Sequence, residues 1–87
     1  MEIVYTLEAK EDIDYWKKTG DVGRLKKIRN LLENILETPF EGIGKPEPLK
    51  YSLTGAWSRR IDREHRLVYK VSGNEIIVLG AKGHYEK

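Results

Sequence analysis

The chain has 87 residues, no cysteine and a formal net charge of +2, with 34% charged and 39% hydrophobic residues. That is material for one core, one domain spanning residues 1–87, which buries about 60–65% of its unfolded surface. The composition excludes disulfides and thiolate metal sites, and no signal peptide or apolar run near the roughly 20 residues of a membrane span is visible, so the chain reads as cytoplasmic with no membrane contact. Residues 1–40 carry 7 basic and 8 acidic side chains, whereas residues 41–87 carry 9 and 6. The basic character lies in the second half, which is therefore the nucleic-acid face to look for.

Residues 1–6 read as a short strand in which Ile3 and Tyr5 alternate with polar neighbours. Thr6 then caps a helix with Ala9, Ile13 and Trp16 on one face, closed by Lys17, Lys18 and Gly20. Asp21 caps a longer helix. Its apolar stripe is Leu25, Ile28, Leu32 and Ile35, widened by Leu31 and Leu36, and Pro39 ends it. The Arg24, Lys26, Lys27, Arg29 cluster reads as a solvated helix face, with secondary contact to nucleic acid or a partner protein as the alternative.

From Phe40 the period changes. Gly42, Gly44, Pro46 and Pro48 make an irregular loop. Short strands follow near 49–53, 57–62, 65–71 and 75–81, with turns at Thr54-Gly55, Arg63-Glu64 and Ser72-Gly73-Asn74. The connections are too short for crossover helices, so these strands pair antiparallel. Two early helices and a late meander predict an α+β fold, a small antiparallel, mostly meander sheet packed by one face on the two helices.

The stretch 44–71 concentrates the chemistry. It holds seven of the sixteen Lys and Arg, three carboxylates and one of the two histidines. Arg59, Arg60, Arg63 and Arg66 fall within eight positions, a density of like charge that calls for an anion such as a phosphate backbone. Strand alternation sends Leu67, Tyr69 and Val71 to the core and Arg66, Val68 and Lys70 to the open face. Lys82 and His84 share a face by the same period, so a suitable register would bring His84 to the cation row.

Glu47, between two prolines in a basic neighbourhood, is the carboxylate that stands out. It is either a base held ionised by nearby cations or a structural partner of Lys45 or Lys50. His84, near the chain end, is either a surface residue or the acid. His65 reads as a packing or hydrogen-bonding residue. Trp57, Tyr69 and Tyr15 read as core, and Tyr51 and Tyr85 stay open. Two histidines without cysteines or spaced carboxylates argue against zinc, and no phosphate loop precedes a helix. A base, an acid and a set of cations suit RNA cleavage by internal transesterification, in which the 2′-OH is the nucleophile and no metal or cofactor is required.

Four segments then become recognisable together: Thr38-Pro39-Phe40-Glu41-Gly42, Gly44-Lys45-Pro46-Glu47-Pro48-Leu49-Lys50, Gly55-Ala56-Trp57-Ser58-Arg59-Arg60-Ile61 and Glu64-His65-Arg66-Leu67-Val68-Tyr69. With the closing His84-Tyr85 they resemble the YoeB (Txe/YoeB) toxins of the RelE-like toxin–antitoxin group over essentially the whole chain. The resemblance implies a RelE-like microbial-RNase-type fold and a ribosome-dependent endoribonuclease that cuts mRNA in the ribosomal A site. It also implies a YefM-like antitoxin partner and a homodimer. Carried over by motif, Glu47 is the general base, His84 the general acid with Tyr85 beside it, and Arg66 the group that meets the phosphate. Lys50 and Arg60, with Arg59, add positive charge. Two departures stand out: Gly83 precedes His84 where family members often carry a bulkier residue, which would loosen the terminus, and Glu86-Lys87 extends past the usual end. A carboxylate there raises the pKa of His84. The rivals are a ribosome-docking inhibitor that does not cut, and a DNA-binding autorepressor, for which no helix-turn-helix signal is seen.

Overall fold

The computed structural model describes residues 1–83; His84, Tyr85 and the Glu86-Lys87 extension lie outside the described residues. The elements run β1 (Glu2–Tyr5), α1 (Leu7–Lys18), α2 (Val22–Glu37), β2 (Glu47–Pro48), β3 (Trp57–Arg60), β4 (Arg66–Ser72) and β5 (Glu75–Gly80). Both helices begin where the capping residues place them. Thr6 Oγ1 accepts from Ala9 N–H at 3.1 Å, and Asp21 Oδ1 accepts from Arg24 N–H at 3.0 Å. Each bond satisfies a donor left without an intrahelical partner in the first turn.

The strands form one sheet in the order β1-β5-β4-β3-β2. The late strands pair antiparallel, as their short connections require. β1 adds a parallel edge beside β5, with Ile3 opposite Ile76 and Tyr5 opposite Val78. Between β1 and its partner the chain passes through both helices and β2, β3 and β4, more than the long crossover a parallel pair needs. The sheet is thus mixed within the expected α+β layer.

One face of the sheet meets the helices. Ala9, Trp16, Ile28, Leu31 and Ile35 pack on Leu67, Tyr69, Ile76 and Val78, all under 5% exposed. Two expectations fail at the margin of this core. Tyr15 is 47% exposed, and Leu36 is 37% exposed at the rim of its stripe. A helix of 3.6 residues per turn buries only one of two adjacent aromatic residues, and here it buries Trp16.

The other face carries a smaller apolar cluster: Leu49, Ala56 and Val68, flanked by Leu53 and Leu79. It forms because residues 49–53 are not the expected strand. β2 stops at Pro48, the chain closes a bond from Leu49 N–H to Ala56 O, and Tyr51–Leu53 is a 3-10 turn with Tyr51 at φ 60. Leu49, Tyr51 and Leu53 would share one face of a strand. In the turn, Leu49 and Leu53 fold inward and Tyr51 is left 79% exposed.

The connection between β3 and β4 is held by a carboxylate. Asp62 Oδ1 accepts from the N–H groups of Glu64 and His65, both at 2.8 Å, and Asp62 Oδ2 accepts from Arg24 Nε at 2.6 Å. Arg24 also pairs with Asp21 and lies over the Trp16 ring, so it is not part of a plain solvated face. Partial burial pushes the Asp62 carboxyl up, but the Arg24 guanidinium and the two backbone donors outweigh it and hold the group below the ordinary aspartate value. A depressed carboxyl contributes stability that is present above its unfolded value, about 4, and is lost as pH falls through the folded one. The Asp62→Asn variant is therefore expected to have a lower urea midpoint than the parent at pH 7, with the gap closing as pH approaches 2. A gap independent of pH would contradict this assignment.

Candidate active site

β2, β3 and β4 bring three of the sequence candidates, Glu47, Arg60 and Arg66, to the outer face of the sheet. Glu47 lies opposite Ser58, Ser58 opposite Val68, and Arg60 opposite Arg66. Glu47, Ser58, Arg60 and Arg66 therefore share one face by the period of two. Across β3, Arg66 donates from Nη1 to Glu47 Oε1 at 3.3 Å. Ser58, between them in the register, is small enough for the longer side chain to span the strand.

The pair is unequally buried. Arg66 keeps 8% of its side-chain surface and Glu47 keeps 36%. Solvent and ligands thus reach the carboxylate while the cation sits in a low-dielectric wall, where its field is less screened. Among the described residues, Arg66 Nε and Ser58 Oγ have no hydrogen-bond partner. A buried guanidinium N–H without an acceptor costs free energy, so this edge of Arg66 favours an anion that brings one.

Arg60 is exposed opposite Arg66 and Lys50 is exposed two residues after β2, and neither is in an ion pair among the described residues. Lys70 is exposed on the same face of β4. Lys82 does not join this row. β5 ends at Gly80, and the Lys82 ammonium lies over the Tyr15 ring of α1, 4.5 Å from its centroid. His84 and Tyr85 fall outside the described residues, but the backbone that leads to them is placed. Arg66 N–H donates to Gly83 O at 3.0 Å, and Gly83 N–H donates to His65 Nδ1 at 2.9 Å. Both backbone groups of residue 83 are thus hydrogen-bonded beside Arg66.

Arg59 corrects the sequence reading. Next to Arg60 in β3, it points to the opposite face and is fully buried. Nε donates to Tyr69 Oη, Nη1 to Asn34 Oδ1 and Ile43 O, and Nη2 to Thr38 O and Glu41 O. All five N–H donors of the guanidinium are matched within the protein, so none remains for a phosphate. The cation sits at the C-terminal end of α2, where the helix dipole favours positive charge and α2 has no basic residue in its own last turn. Arginine density in the sequence therefore counted a structural cation among the candidate phosphate contacts. The one available signal was alternation, which puts residues 57 and 59 on the face of 67 and 69.

The comparisons with known proteins agree with this layout. Residues 5–85 match the model of the YoeB-like toxin of bacterial type II toxin–antitoxin systems. The chain belongs to the YoeB-like toxin family. It is 46% identical to the toxin YoeB of Escherichia coli K12, an alignment covering 98% of this chain and 100% of that one. A YoeB dimer from Staphylococcus aureus superposes with a TM-score of 0.90 at 46% identity, covering 98% of each chain. A heterotetrameric YoeB–YefM toxin–antitoxin complex from the same organism gives 0.88 at 46% identity and the same coverage. The protein is thus a toxin of the type II toxin–antitoxin class, with the RelE-like α+β fold.

The two neighbouring arginines are expected to separate cleanly by variant. Replacing the fork of Arg59 by a lysine leaves several carbonyls unmatched and should cost about 2–4 kcal/mol of unfolding free energy. Arg60→Lys, at an exposed position, should stay within about 0.5 kcal/mol of the parent. Urea denaturation reads both. An Arg59→Lys protein of parental stability would contradict the structural role.

Proposed function

We propose that this toxin is an endoribonuclease that cuts mRNA in the ribosomal A site by attack of the substrate's own 2′-OH. The observation that supports it most is the contact between a buried arginine and a half-exposed carboxylate, set on a face with exposed Arg60. Such an array offers a proton acceptor and a fixed positive charge to the same small volume. Transesterification of RNA needs both: a base for the 2′-OH and cations for the charge that develops on the pentacoordinate phosphate.

In this reading Glu47 takes the 2′ proton and Arg66 meets the non-bridging phosphate oxygens. Lys50 and Arg60 raise the local potential and hold the flanking backbone. His84, which follows the fixed Gly83, returns a proton to the departing 5′ oxygen, with Tyr85 beside it. The oxygen that attacks belongs to the RNA, so the products are a 2′,3′-cyclic phosphate and a 5′-OH. The nucleophile needs no metal or cofactor to activate it. By analogy with the Staphylococcus relatives, the chain forms a homodimer and is held inactive by a YefM-like antitoxin. The ribosome, which presents the mRNA, and the toxin then meet in the cytoplasm.

Glu47→Gln and His84→Gln each keep a hydrogen-bonding side chain but lose the titrating group. Each should slow single-turnover cleavage of ribosome-bound mRNA by about 10²–10⁴-fold, the usual contribution of a general base or acid. Binding to the ribosome should be unchanged. If both variants arrest translation as well as the parent while the mRNA stays whole, the toxin acts by occupying the site and the catalytic reading is wrong.

A further inference from the structure

We propose that Tyr51 is the platform on which a base beside the scissile phosphate stacks, with Lys50 on the adjoining backbone of the RNA. This rests on the reading of the Glu47–Arg66 face as the place of cleavage and adds the group that grips a base there.

Tyr51 is unusual in two ways. Its φ of 60 lies in the left-handed region, which glycine and asparagine enter more readily than an aromatic residue. Its side chain also packs on nothing. The residue is 79% exposed, and among the described residues neither its ring nor its hydroxyl takes part in a hydrogen bond, ring contact or cation contact. The turn uses its backbone: Tyr51 O accepts from Thr54 N–H at 3.0 Å and from Thr54 Oγ1 at 2.7 Å. Position 51 therefore needs the left-handed conformation and has no structural use for the ring.

The turn holds that ring beside the site. Leu49 and Ala56 are each 4% exposed and, with Leu53, pack on Val68 of β4. Val68 lies opposite Ser58, and Ser58 opposite Glu47, so the turn is seated on the outer face next to the Glu47–Arg66 pair. Tyr51 follows Glu47 by four residues, which limits their Cα separation to about 14 Å. Bonds from Leu49 N–H to Ala56 O at 2.9 Å and from Leu53 N–H to Lys50 O at 3.1 Å close the turn. The backbone that carries the ring is thus fixed, and the ring is open.

An exposed aromatic next to an exposed lysine suits a single strand of RNA, whose bases offer flat faces and whose backbone offers charge. A message lying across Glu47 and Arg66 must hold its 2′-OH in line with the phosphate. Stacking the neighbouring base restricts the rotation of that nucleotide and favours the aligned geometry. A protein partner fits this surface less well. Leu49 and Leu53 are turned inward, which leaves one ring among exposed Lys50, Ser52 and Thr54 rather than an apolar patch.

The test is single-turnover cleavage of mRNA on programmed ribosomes at subsaturating toxin. Messages carry either a normal base or an abasic ribose, its 2′-OH intact, at the nucleotide 5′ or 3′ of the cut. Tyr51→Asn fits the left-handed backbone but removes the ring. It should cleave the normal message about 5–100-fold more slowly, the range of one base–aromatic stack. Tyr51→Phe and Tyr51→Trp should retain most of the parental rate. One of the two abasic messages should slow the parent by a similar factor and slow Tyr51→Asn no further, because variant and message have lost the same contact. A parental rate for Tyr51→Asn or a slow Tyr51→Phe would overturn the proposal. So would losses that multiply on both abasic messages, which would place the ring against a protein or ribosomal surface instead. Parental cleavage by Glu47→Gln would remove the reading on which the proposal rests, a result separate from any at Tyr51.

Discussion

The buried guanidinium of Arg59 ties the two halves of the molecule together, and the position of the site follows from it. Residues 38–43 leave α2 without regular structure, and their carbonyls must find donors. Arg59 supplies three bonds to this region, to the carbonyls of Thr38, Glu41 and Ile43, while its Nη1 also meets Asn34 Oδ1 of α2 and its Nε rests on the Tyr69 hydroxyl. The Tyr69 hydroxyl in turn donates to Pro39 O at 2.6 Å, and burial pushes its pKa up, keeping it a donor. A charge with no carboxylate partner is held in the core by carbonyl dipoles and a helix C-terminus. Close approach is built into the loop: a Cβ on Gly42 would fall 2.0 Å from Asn34 Oδ1, one of the acceptors that Arg59 uses. The loop so fixed delivers Glu47 to the edge of the sheet.

The sheet then separates two tasks. Its inner face is packed against the helices and supplies stability. Its outer face holds the unusual chemistry, with a small apolar cluster beside it in place of a second core. Arg66 shows how the two are joined. Its side chain is almost as buried as a core residue, yet it lies on the outer face and contacts a half-exposed carboxylate. Burying such a cation costs free energy. The proposed phosphate site would gain from that placement, because fixed charges act more strongly where water is excluded.

Much of this was legible in the residues. Caps at Thr6 and Asp21, the stop at Pro39 and the alternation in 67–71 are local signals, and the helices and β4 follow from them. Three features were not legible. The parallel pairing of β1 depends on which sheet edge remains open after the whole chain has folded. The turn at Tyr51–Leu53 was hidden because Leu49, Tyr51 and Leu53 also fit a strand, and a positive φ at Tyr51 has no composition signature. The role of Arg59 was obscured by its neighbours: four arginines in eight positions look like one anion site, although a strand sends adjacent side chains to opposite faces. Glu47 stood out by its rigid, basic setting, but only the fold places Arg66 against it.

In the proposed mechanism the RNA supplies its own nucleophile at the Glu47–Arg66 face. This is tested most directly with mRNA bearing a single 2′-deoxynucleotide immediately 5′ of the cut, presented on programmed ribosomes beside an all-ribose control. The expected result is that the control yields a 2′,3′-cyclic phosphate and a 5′-OH while the deoxy substrate survives intact. Cleavage of the deoxy substrate at the same bond would contradict it.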